Sequence, residues 1–244
     1  MTSKPRGRTV RRQTRSLNTF YIIVGVVVLL GVAGLAALVL RPAPAAPEGR
    51  LPAPEAVTVP TGKTEDGFNF KGNADAKVVV TEFADFQCPA CGYFTNSLSA
   101  QFEKDYVASG KIKFVYHDYP LRQHTNAVVA AEAARCADDQ GAFWKMHKML
   151  FTNQRQWSAL PDPKNQFATY ATQLGIDPAK VTSCLSGETN KAAVLAAQAS
   201  GDKLAISGTP SFAINGTLID TSKAQSVDEI AQIVRAAIDT AVAK

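Results

Sequence analysis

Histidine and sulfur are scarce in this chain, and acidic charge is missing from its amino end; each shortage excludes something. Three histidines, His117, His124 and His147, stand singly in 244 residues, and none lies at ligand spacing from a cysteine. A tetrahedral zinc site would need a second Cys or His pair, whereas Cys88 and Cys91 form the one close pair and Cys136 and Cys184 are single and far apart. No metal, flavin or nucleotide signature is present, so no cofactor is expected, and no internal repeat is found. Residues 1–41 hold none of the 21 Asp and Glu but seven of the 26 Lys and Arg. The formal charge of +5 therefore becomes −2 for residues 42–244, with 19 basic against 21 acidic residues. A basic excess of the kind that attracts nucleic acid is absent from that larger part.

What is present begins with an apolar run. Phe20 to Leu40 carry no charge, and at about 1.5 Å per residue they span about 31 Å, close to the roughly 30 Å hydrocarbon core of a bilayer. A cleaved signal peptide would have about 7–15 apolar residues, so the length favours an uncleaved signal anchor, with small residues at Ala43, Ala45 and Ala46 leaving cleavage as the alternative. Arg11-Arg12 is a poor match to a twin-arginine signal. Positive charge ahead of the span, with Arg41 alone just after it, puts residues 1–19 in the cytoplasm and the rest outside, a single-pass topology. Residues 41–61, with Pro42, Pro44, Pro47, Pro52, Pro54 and Pro60, read as an extended spacer, and residues 62–244 as one folded domain.

Within that domain the pattern predicts an extended segment near Phe68–Phe70, a strand over 78–84, a helix from Pro89 to about Ser109 and a strand over 111–117. Helical patterns then fill about 122–204, Asn215-Gly216 sets a hairpin between two apolar runs, and an amphipathic helix covers 227–242. The fold class is α/β, strands and helices alternating around a long helical insertion.

Cys88-Pro89-Ala90-Cys91 sits at the junction of the 78–84 strand and the following helix. Free N–H groups and the positive end of the helix dipole favour a thiolate there, and two intervening residues let the sulfurs close into a readily reopened disulfide. Redox exchange is thus the leading chemistry. A zinc-binding module and a peptide-binding holdase are the rival classes, separated by metal content and by the effect of Cys88→Ala.

Taken in order, Glu82-Phe83-Ala84-Asp85-Phe86-Gln87-Cys88-Pro89-Ala90-Cys91, a helical block, Gly208-Thr209-Pro210-Ser211-Phe212 and Asn215-Gly216 resemble the DsbA-like thiol:disulfide oxidoreductases of the thioredoxin-fold superfamily. The resemblance implies a thioredoxin-like fold in which Cys88 is the nucleophile and Cys91 its shielded partner, with Pro89 and Ala90 tuning the thiolate. Many relatives carry Pro-His between the cysteines, so Ala90 puts the strength of the oxidant in doubt. Pro210 matches the cis-proline loop, which leaves the Thr209 backbone free to pair with an extended substrate. Glu82 matches a buried acid that relays a proton to Cys91. Some relatives hold a second disulfide, and in an oxidising compartment Cys136 and Cys184 are expected to form one. Expected partners are exported proteins with free cysteines and a quinone-linked membrane protein that reoxidises the enzyme; a monomer is expected. Reductase or isomerase activity on the same fold is the alternative direction. His117 and Asp118, ending the second core strand, are a further place where substrate could approach.

Overall fold

A computed structural model describes residues 15–39, 46–53 and 58–244, and the chain divides into two compact units after Ala45. Residues 1–14, for which a cytoplasmic position is expected, Leu40 of the apolar run, and residues 41–45 and 54–57 of the expected spacer lie outside the described residues. In the first unit, α1 (Arg15–Val39) is one continuous helix. Its described apolar side chains, Phe20 to Leu35, are uncovered. Among the described residues no helix is long and apolar enough to cross a membrane.

The second unit is built on a six-stranded sheet of β1 (Thr61–Lys63), β2 (Asn69–Gly72), β3 (Val78–Ala84), β4 (Ile112–Asp118), β5 (Ser211–Ile214) and β6 (Thr217–Leu218), in the order β1-β2-β4-β3-β5-β6. β3 and β4 are parallel and every other pairing is antiparallel. A parallel pair needs a crossover, which the helical stretch 89–107 supplies. Asn215 and Gly216, at φ 48° and 80°, make the two-residue turn between β5 and β6. Positive φ at both positions matches strand twist and is open to Asn and Gly at little cost.

Side-chain alternation divides the sheet into two faces. Val78, Val80 and Glu82 lie beside Ile112, Phe114 and Tyr116 of β4, and Val80 and Glu82 beside Ile214 and Phe212 of β5. That face is covered by the crossover and by the last helix, α10 (Val227–Val242), whose Ala231, Val234 and Ile238 join Val80, Phe94, Phe102 and Phe212 in one core cluster. Ser226 caps α10 by accepting the Glu229 N–H at 3.2 Å.

The crossover departs from a plain helix. It runs as α2 (Pro89–Tyr93), a π-turn segment Phe94–Leu98, α3 (Ser99–Phe102) and a second π-turn segment Glu103–Val107. Widened turns tilt carbonyls outward, and the Thr95 carbonyl accepts from both Ser99 Oγ (2.7 Å) and Lys148 Nζ (2.6 Å).

Between β4 and β5 lie α4 (Ala127–Asp138), α5 (Phe143–Thr152), α6 (Gln154–Trp157), α7 (Lys164–Gln173), α8 (Pro178–Ser186) and α9 (Lys191–Asp202). They share a second core cluster with Phe86, Cys88 and Cys91, which seats the insertion directly on the sulfur site. Cys136 of α4 and Cys184 of α8 are joined by a disulfide. Residues 46–53 follow this insertion through a series of hydrogen bonds and belong to the second unit. Their proline content suggests a free spacer, but prolines constrain the backbone without removing its carbonyls, which remain available for docking.

Candidate active site

Cys88 is the residue that precedes α2, extended at φ −72° and ψ 122°, with Pro89 in the first helical position. Proline suits that position because its missing N–H would have had no helical partner. The loop beneath is fixed from several sides. Gln154 Nε2 donates to the carbonyls of Phe86 (2.7 Å) and Cys88 (2.9 Å). Asp85, buried, accepts from the N–H groups of Gln87 (2.6 Å) and Leu121 (2.8 Å) and pairs with His124 Nδ1 (2.6 Å). Gln87 bridges the Asn126 N–H and the Ser158 carbonyl.

The two sulfurs have unequal surroundings. The Cys88 Sγ–H donates to the Thr209 carbonyl at 3.3 Å, and the Thr209–Pro210 bond is cis. The Cys88 thiol is lowered from an ordinary 9.0 to about 6. A hydrogen bond from Cys91 is the largest cause, joined by the Thr209 side chain and by the N–H groups of Cys91 and Ala90, and together they outweigh partial burial. Cys91 is fully buried, and burial first, then its bond to Cys88 and the charges of Cys88 and Glu82, push it well above 9.0. One sulfur is therefore a stable thiolate, whereas its neighbour needs a proton when it leaves a bond.

Glu82 lies inside the domain, 2% exposed, and does not reach solvent from the strand end. Its pKa is pushed up from 4.5 to about 8 by burial, then by the nearby charges of Glu103 and Cys88. It lines a cavity of about 150 Å³ shared with Lys71, Glu103, Trp144, His147 and Lys148. Lys71 Nζ pairs with Glu103 Oε1 at 3.1 Å and sits 4.7 Å from the Trp144 ring centre.

Thus Cys88, Cys91, Pro89, Ala90, Thr209 and Pro210 converge on one place, and Glu82 lies on the strand that leads into it. Cys136 and Cys184 are placed apart, in the insertion. His117 is stacked on Phe68, tilted against Phe83 and bonded to Ser200 Oγ, with burial lowering it to about 4, and Asp118 is bonded to Arg135; neither is open to substrate. Asp85, Gln87 and Gln154 have no sequence signal as loop anchors, although Asp85 and Gln87 lie inside the quoted cysteine motif. Among the described residues no group of His, Cys, Asp and Glu is arranged to hold a metal ion.

The sequence model of the family described as Thioredoxin matches residues 64–236. The chain belongs to the thioredoxin family. A putative protein-disulfide oxidoreductase of Rickettsia conorii is 30% identical over 199 residues, covering 80% of this chain and 69% of that protein. The crystal structure of oxidised BdbD from Bacillus subtilis superposes with a TM-score of 0.63 at 25% identity, over 76% of this chain and 99% of that one. The Wolbachia pipientis alpha-DsbA1 structure shares the fold, with a TM-score of 0.60 at 17% identity, over 74% of this chain and 96% of that one. A sodium/proton antiporter NhaA 3 of Salinispora tropica is 32% identical over 152 residues, and the chain spans only 22% of its length. This thioredoxin-family chain is thus similar along most of its length to proteins named as protein-disulfide oxidoreductases.

Proposed function

We propose that the enzyme introduces disulfide bonds into exported proteins, with Cys88 and Cys91 as the exchanging pair. A substrate thiolate attacks Cys88 Sγ of the oxidised pair, and Cys91 leaves. Because Cys91 is pushed well above its ordinary range, it departs as a thiol, and the carboxyl of Glu82, raised to about 8, is still mostly protonated at neutral pH and can supply the proton. A second substrate thiolate then attacks the substrate sulfur of the mixed disulfide and frees Cys88 as a thiolate. Two electrons have passed to the enzyme and one disulfide to the substrate. The unequal pair carries this reading: Cys88 lowered to about 6 beside the Thr209 carbonyl, Cys91 enclosed behind it.

Thr209 and Pro210 serve as the substrate-binding edge, where a strand-like peptide pairs with backbone beside the sulfur. Reoxidation of the dithiol falls to a quinone-linked membrane protein, and the enzyme works as a monomer. The domain stands outside the cell membrane on a single-pass anchor at 20–40. Support for the anchor comes from the uncharged run, the continuous helix α1 with its uncovered Phe20 to Leu35, and the basic residues preceding it.

The deciding measurement is the reduction potential of the Cys88/Cys91 pair in the full chain, equilibrated in glutathione buffers. A value near or above about −150 mV is expected; one near about −270 mV, where thioredoxin sits, would reverse the direction to reductase. Cys88→Ala should abolish disulfide transfer, and full activity in that variant would leave only a peptide-binding role.

A further inference from the structure

The segment before the sheet is read by side-chain amides. Gln173 accepts the Gly49 N–H at 2.8 Å and donates to the Gly49 carbonyl at 2.9 Å. Asn153 repeats the pattern one residue on, accepting the Arg50 N–H at 2.6 Å and donating to the Arg50 carbonyl at 2.8 Å. Gln166 and Gln156 donate to the carbonyls of Pro47 and Glu48. An amide that pairs both the N–H and the C=O of one residue imitates a neighbouring strand, so these contacts recognise extended backbone with little regard to sequence. Gly49 is the exception. It is buried, and a Cβ there would stand 2.5 Å from the ring of Tyr170, whose hydroxyl is tied to Gln156 Oε1 at 3.0 Å.

Beyond Arg50 the segment reaches Ala53, which lines the cavity that holds Glu82. Trp144 and His147 line the same space, and Glu82 Oε1, Trp144 Nε1 and His147 Nε2 are buried with no hydrogen-bond partner. Unsatisfied polar atoms of this kind take up water readily once a path exists.

We propose that the helical insertion carries a backbone-reading groove whose resident ligand is the chain's own residues 47–53, and that this segment is a strap closing the polar cavity that Glu82 lines. The second half rests on the reading of Glu82 as proton donor. Glu82 is faced by Cys88 just ahead of α2, Cys91 from α2, Glu103 from the second π-turn segment, Lys71 from β2, Tyr116 from β4, and His147 and Lys148 from α5. Burial is the largest cause of its raised pKa. With the strap released, water reaches the cavity, the carboxylate becomes cheaper to form, and Glu82 titrates lower, leaving Cys91 without its proton donor at neutral pH.

The test uses the full chain and two variants: Gly49→Val, which sets a side chain against Tyr170, and Gln173→Ala, which removes two hydrogen bonds without crowding. Trypsin cleavage of the Arg50–Leu51 bond reports docking, and the ¹³C carboxyl shift of Glu82 against pH, assigned with Glu82→Gln, reports the cavity. Cleavage in both variants should be about tenfold faster or more, the population change expected from two lost hydrogen bonds. The Glu82 midpoint should fall by about one pH unit or more, as expected for a carboxylate regaining water. Unchanged cleavage in Gln173→Ala overturns the groove. Faster cleavage with an unmoved midpoint overturns the strap's action on the cavity. A Glu82 that already titrates normally in the unaltered chain overturns the proton-donor reading itself.

Discussion

At the scale of single residues, Cys88 and Cys91 are the same amino acid three positions apart, and surroundings alone give them opposite behaviour. The thiolate of Cys88 is held by hydrogen bonds, whereas Cys91 has no access to water and faces other negative groups. In the reduced enzyme, the alkylation rate of Cys88 by iodoacetamide should rise with a midpoint near pH 6 instead of near 9. The same depression stabilises the reduced fold: the contribution is complete above pH 9 and is lost as pH falls through about 6. An alkylation midpoint above pH 8 would contradict both statements. Cys88 and Pro210 were legible in the sequence because covalent constraints, a two-residue spacing and a proline, determine what they can do. Asp85 and Gln154 were not, since their roles depend on which backbone groups the fold brings beside them, as when Gln154 bonds the Cys88 carbonyl from across the insertion.

Among elements, the strands and the hairpin were readable because period-two alternation and Asn215-Gly216 are local signals. β1 was not, being three polar-to-small residues that become a strand only by pairing with β2. The π-turns of the crossover were also invisible, because the widened turns answer to partners such as Lys148 on another helix. The Cys136–Cys184 bond ties α4 to α8 across 48 residues of sequence. On the chain-entropy account it contributes up to about 4 kcal/mol. Cys136→Ala should therefore lower the melting temperature under oxidising conditions, and the difference from the unaltered protein should vanish in strong reductant. An unchanged melting temperature under oxidising conditions would mean that the bond contributes nothing to the fold.

For the whole molecule, the proposed anchor predicts that the full chain stays with the membrane fraction through an alkaline carbonate wash and is released by detergent. Release by carbonate alone would remove the anchor from the picture. The α/β pattern of the second unit is a local signal in the sequence. The docking of residues 46–53 on that unit is not, because proline-rich composition describes how a segment behaves alone and says nothing of the amides at Asn153 and Gln173 that hold it.

The sheet order carries a further consequence for biosynthesis. Glu82 and Phe83 of β3 are paired on one side with β4, made early, and on the other with Phe212 and Ser211 of β5, made only after the whole insertion. A nascent chain that has completed α2 but not β5 holds both thiols with no Thr209 carbonyl above Cys88 and no Phe212 beside Glu82. The Thr209 carbonyl and the Phe212 contact therefore arrive only with the closing hairpin, so a ribosome stalled inside the insertion would display a dithiol before its full surroundings exist.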